Sequence, residues 1–116
     1  MSDDMTDETT AEPAKPDMEL YDIKIVVDRI EGRSVCDMQV GDYAEVVHSS
    51  RLRIPRHFCM YALQAVLPLI PAKQRQLPEH DWLEGEQYVA CPDPEERLIM
   101  RIERGPLCGM RSEELT

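Results

Sequence analysis

"LYDIKIVVDRI", residues 20–30, decides how this chain folds. Tyr21, Ile23, Ile25, Val27 and Arg29 fall on one side of an extended chain. Leu20, Asp22, Lys24, Val26 and Asp28 fall on the other. An alternation of this kind, rich in β-branched residues, predicts a strand with one face turned to a core. Glu31 and Gly32 end it. A strand needs partners, and three more stretches supply them. "VGDYAEVVH", 40–48, opens on a Gly-Asp turn and continues through Tyr43, Val46 and Val47. "EQYVAC", 86–91, and "RLIMRIER", 97–104, follow later, joined by "PDPEE", a turn hostile to a ladder. In the last of these, Leu98, Met100 and Ile102 share one face, and Ile99, Arg101 and Glu103 the other.

Between the two pairs of strands lies "RIPRHFCMYALQAVLPLIP", 53–71, the most apolar stretch of the chain. Pro55 suits the first position of a helix, where its missing N–H costs nothing. Phe58, Cys59, Ala62, Leu63, Ala65, Val66 and Leu67 wrap much of the circumference, which predicts a buried helix. Pro68 and Pro71 break or kink it, and residues 72–82 read as a polar loop. The expected order is β-β-α-β-β: an α+β domain with a small antiparallel sheet and one main buried helix.

The chain has 116 residues and a formal net charge of −10. Much of that charge sits in residues 1–19, which hold seven acidic side chains and one lysine. Too few apolar groups are present there to offset ordering entropy, so this acidic tail is expected to be disordered. Residues 20–110 form the single domain, with 11 basic and 14 acidic side chains, and residues 111–116 a polar C-terminal tail. A nearly balanced domain argues against a nucleic-acid surface. No stretch is long and apolar enough for a membrane span, and the acidic leader lacks the features of a signal peptide. Four cysteines in that setting predict a reducing, cytoplasmic compartment with free thiols.

Chemistry has few places to reside. No glycine-rich phosphate loop, H-E-x-x-H or G-x-S-x-G occurs, and no catalytic residue is assigned. His48, His57 and His80 show no paired spacing. Cys36, Cys59 and Cys91 each fall at the end of a predicted element, so the fold could gather them into a thiolate site. No local C-x-x-C pair marks one, and buried cysteine commonly serves as a small hydrophobe. Arg51, Arg53, Arg56 and His57 precede the helix and form a candidate anion-binding cluster.

"YDIKIVV", a cysteine ahead of "VGDYAEV", then "IPRHFCMYALQAV" and "YVACPDPEERLIMRIER" together resemble a family of small prokaryotic proteins of about this size. That family has no established activity. Its pattern matches at Cys36 with Gly41, Phe58 with Cys59, and Cys91 with Asp93, over roughly residues 20–104. The chain departs from it in having Trp82 as its single tryptophan and in carrying Cys108 beyond the matched region. The resemblance implies no reaction. Two functions are therefore expected. One is a small non-catalytic accessory protein, or a minor subunit of a larger enzyme complex, with a protein partner or a second copy of itself and no cofactor. The other is a thiolate-site protein that binds zinc or an iron–sulfur cluster, or performs redox work, through Cys36, Cys59 and Cys91.

Overall fold

The computed structural model describes residues 16–34 and 36–115. Most of the acidic tail, residues 1–15, lies outside them. Five strands form one antiparallel sheet: β1 (Met18–Ile30), β2 (Tyr43–Val47), β3 (Arg51–Arg53), β4 (Gln87–Ala90) and β5 (Leu98–Met110). Their spatial order is β3-β2-β1-β5-β4. The helical segment between β3 and β4 comprises α1 (Met60–Val66), a 3-10 turn (Leu67–Leu69) and α2 (Ile70–Lys73). The α+β architecture is thus the one that the alternation and the apolar stretch predict, with one strand more. β3 extends the sheet beyond β2 through Glu45↔Arg53, Val46↔Leu52 and Val47↔Arg51.

The spine is the pairing of β1 with β5, which runs from Met18↔Met110 to Ile30↔Leu98. Both strands are longer than the sequence suggests. Met18 and Glu19, assigned by composition to the tail, are strand residues opposite Met110 and Gly109. β5 does not stop at Arg104. Gly105 and Pro106 interrupt its register, between Tyr21↔Leu107 and Ile23↔Arg104, and the ladder then resumes. A proline cannot donate to a ladder, and a bulge is one of the few places in a sheet that accepts it.

Ile23, Ile25, Val27, Leu98, Met100 and Ile102 are essentially inaccessible and form the core face. Ala62, Val66 and Ile70 from the helical segment cover it, together with Met38, Val46 and Cys91. The opposite face carries charge. There Lys24 lies over the Tyr43 ring at 4.2 Å, and Arg101 pairs with Asp28 at 2.8 Å.

The helix differs from its expectation in two respects. It is buried on one side only: Met60, Tyr61 and Leu67 are exposed, and Leu63 is half-buried against the core. It also begins at Met60 rather than near Pro55. Residues 55–59 are held away from helical geometry by bonds to the connection between β1 and β2. The Arg56 guanidinium donates to the Asp37 carbonyl at 2.6 Å and to Asp42 Oδ2 at 2.7 Å. Cys59 N–H donates to Met38 Sδ at 3.4 Å. Pro68 opens the 3-10 turn and Pro71 lies in the first turn of α2. Each removes a donor from the α ladder, so the helix tightens there without ending.

The ion pair between Arg56 and Asp42 has a pH consequence. Asp42 is held below the usual carboxylate range, chiefly by the hydrogen bond from Arg56. A depressed carboxyl adds stability above its unfolded pKa of about 4 and loses it as pH falls through its lower native value. Arg56→Gln should therefore lower the urea midpoint at pH 6, and the gap from wild type should close as pH falls below about 4. A gap independent of pH would assign the loss to Arg56 packing instead.

Candidate functional site

At one end of the sheet the connection after β1, the start of the helix and the end of β4 meet. Cys36 lies on the first, Cys59 is the residue that caps α1, and Cys91 follows Ala90. The Cys36 and Cys59 Sγ atoms are 3.2 Å apart, with Cys36 as the hydrogen-bond donor. That separation is closer than ordinary sulfur packing and longer than the ~2.05 Å of a disulfide. Both thiols are free and half-buried; Cys91 is free and buried.

A fourth side chain completes the cluster. Glu96 is wholly buried. Its Oε1 accepts from Cys36 Sγ at 3.9 Å, and its Oε2 accepts from Ser34 Oγ at 3.2 Å. The same carboxylate is close enough to Cys91 to help raise the pKa of its thiol. The turn that carries Glu96 is shaped by Asp93, whose Oδ1 accepts from Glu95 N at 2.9 Å, and by Arg97, at φ 46°. Backbone bonds then clamp it to the end of β1: Gly32 N–H donates to the Glu96 carbonyl at 3.0 Å, Glu31 N–H to Arg97 and Arg33 N–H to Glu95. Gly32 permits this approach. A Cβ at that position would stand 2.0 Å from the Glu95 carbonyl oxygen, well inside contact distance.

The electrostatics follow from the geometry. The hydrogen bond to Cys59, then burial, then the charges of Cys59 and Glu96 push the Cys36 thiol up to about 12. Burial above all raises Cys91 to about 11; the Asp93 N–H opposes it and Glu96 adds to it. At neutral pH Cys36 and Cys91 therefore hold their protons. Among the described residues no set of three or more His, Cys, Asp or Glu side chains is arranged to hold a metal ion. Cys108 lies elsewhere, on β5 opposite Leu20.

The structure puts Cys36 against Cys59, with Cys91 in the core cluster on which both pack. It uses the basic cluster differently. Arg51 and Arg53 are exposed on the edge strand β3. Arg56 is taken up by Asp42 and Asp37. His57 Nε2 lies 3.3 Å from the Cys36 carbonyl and 3.0 Å from that of Asp37. Arg56 and His57 thus hold the segment that carries Cys36. Sequence reasoning misses Glu96, because Glu95 beside it is exposed and nothing in "PDPEE" separates the two.

A second polar cluster hides in the stretch read as loop. Lys73 is buried and donates to the Leu83 and Gly85 carbonyls at 2.8 and 2.6 Å; burial first, and Arg104 second, lower its pKa. Arg104 donates to the Lys73 and Arg75 carbonyls and pairs with Glu84 at 2.9 Å. These bonds tie the 81–86 turn and β5 to the C-terminal end of the helix, beside a concavity of about 380 Å³.

Compared with family models, curated proteins and solved structures, the chain gives no significant match. No described helix is long and apolar enough to cross a membrane.

Proposed function

We propose that this chain is a small thiol-redox protein whose working pair is Cys36 and Cys59. The observation that carries the reading is the 3.2 Å contact between their sulfur atoms. Two thiols so placed close to a disulfide with a small movement, since Sγ must travel only about 1.2 Å to bonding distance. Closure passes two electrons to an oxidant, and thiol–disulfide exchange with a disulfide-bearing molecule is the direct route. The high pKa of Cys36 keeps that thiol protonated, and so a poor nucleophile, at neutral pH.

The test is titration of reduced protein in glutathione buffers of graded potential, followed by alkylation and peptide mass mapping. An intramolecular Cys36–Cys59 disulfide in monomeric protein is expected, and Cys36→Ser or Cys59→Ser should abolish it. Failure to form that bond at any glutathione potential, or one metal ion per chain in anaerobically purified protein, sinks the redox reading. The second outcome favours the zinc or iron–sulfur alternative.

A non-catalytic accessory role is the second reading, and it rests on a different surface. Met60, Tyr61 and Leu67 are exposed along one side of the helical segment. Beside Leu67, a concavity of about 260 Å³ is lined by Val46, Leu52, Ile70 and Pro71 and, on its polar side, by Ser49, Ser50 and Gln74. Exposed apolar side chains beside such a concavity suit a protein partner or a second copy.

A further inference from the structure

Glu96 is costly where it is. A carboxylate is seldom wholly buried, and an apolar side chain of similar size would fill the same space without desolvation. Its bonds to Ser34 and Cys36 orient it rather than merely accommodate it. A carboxylate beside a thiol also offers something that no apolar side chain can, a place for a proton.

We infer that Glu96 is the catalytic proton acceptor that ionises Cys36 when the Cys36–Cys59 disulfide closes. This rests on the redox reading of the pair. The Cys59 thiolate, its proton lost to solvent, attacks an incoming disulfide. A Cys59–S bond forms, the incoming S–S bond breaks, and one thiolate leaves. The Cys36 S–H proton then moves to Glu96 Oε1, 3.9 Å from Sγ. The sulfur's electron pair attacks Cys59 Sγ, the mixed disulfide breaks, and the second thiolate leaves. The incoming disulfide has gained two electrons and the pair has lost two. One proton has gone to solvent and one to Glu96.

The groups facing Glu96 are compatible with that role. Cys36 comes from the connection after β1, Cys59 from the cap of α1, and Cys91 from the end of β4. On its own turn, Glu95 pairs outward with Arg33, and Arg97 donates to the Glu31 carbonyl. His57 is occupied at the backbone of Cys36 and Asp37. Cys36 itself, pushed up to about 12, is the group that most needs a base.

The experiment mixes reduced full-length protein with excess oxidised glutathione, quenches with acid at timed intervals, and measures the mixed and closed disulfides by mass from pH 6 to 9. In wild type the mixed disulfide should stay scarce, and closure, read as closed disulfide formed per mixed disulfide present, should depend weakly on pH. Glu96→Gln should slow closure about 100-fold or more at pH 7, the low end of the range for general bases. Mixed disulfide on Cys59 should then accumulate, and closure should rise nearly tenfold per pH unit as hydroxide takes over. Closure in Glu96→Gln at the wild-type rate and pH slope overturns the assignment and leaves the pair intact. Absence of the closed disulfide in wild type overturns the pair, and the assignment with it. Should Glu96→Gln not fold, Glu96→Asp decides. Its shorter carboxylate should close more slowly but keep the shallow slope, and a steep slope overturns the role.

Discussion

Ile25→Ala is expected to cost about 2–5 kcal/mol, the range for truncating a large side chain in a packed interior. Ile25 sits at the middle of the central strand β1 and is wholly inaccessible. It lies directly opposite Ala44 on one side and Ile102 on the other. Ala44 is too small to fill the space, and Ile102 is fixed by its own pairing with Gln87. The cavity should therefore persist, and its volume sets the upper part of the range. Total stability for a domain of this size is on the order of 5–15 kcal/mol, so the variant forfeits a large share of it. Urea unfolding checks the point. The midpoint should drop with an unchanged m-value, the sign that stability changed and the denatured state did not. A loss under ~1 kcal/mol would mean that the sheet relaxes around the hole.

Gly32→Ala is expected to be nearly as damaging, for the opposite reason. Here an atom is added where none fits. The new Cβ would stand 2.0 Å from the Glu95 carbonyl oxygen and 2.8 Å from that of Glu96. Both are backbone atoms, which cannot swing aside as a side-chain tip can. Either the turn at 93–97 moves away from β1, breaking the bonds from Glu31, Gly32 and Arg33, or the strand end bends. Overpacking of this kind costs about 1–3 kcal/mol, at times more. Because the turn carries Glu96, the Cys36–Cys59 disulfide should also close more slowly in the variant. Gly85→Ala is the control. A Cβ there meets nothing within 4 Å, so the midpoint should barely change. Equal effects at the two glycines would show that lost chain flexibility, and not the contact with Glu95 and Glu96, governs both.

The sheet was legible because its signal is local. The alternation of residue type in Tyr21–Val27 and Leu98–Glu103 needs no knowledge of the rest of the chain, and the core face at Ile23, Ile25, Val27, Leu98, Met100 and Ile102 follows from it. Gly41 was legible as a turn for the same reason, and its φ of 97° bears that out. Local signals also misled. Gly105 and Pro106 look like the end of a strand, yet the long partner β1 carries the ladder past them. Pro55 looks like a helix start, yet Arg56 is held by Asp37 and Asp42, so the helix waits until Met60.

By itself, then, the sequence determined the α+β class and the inward face of the two long strands. These are short-range properties, written in spacing and side-chain type. Only the tertiary structure decided which sulfurs meet, that Glu96 rather than Glu95 turns inward, and that Lys73 is buried. Each of those outcomes depends on segments distant in the chain. Cys36 meets Cys59 because Arg56 and His57 draw one connection onto another. Glu96 enters the cluster because Gly32 leaves room for its backbone. Lys73 can be buried because two carbonyls of the 83–85 turn receive its ammonium. A buried polar group is set by its partners, and a partner across the fold leaves no periodic trace in the chain that contains it.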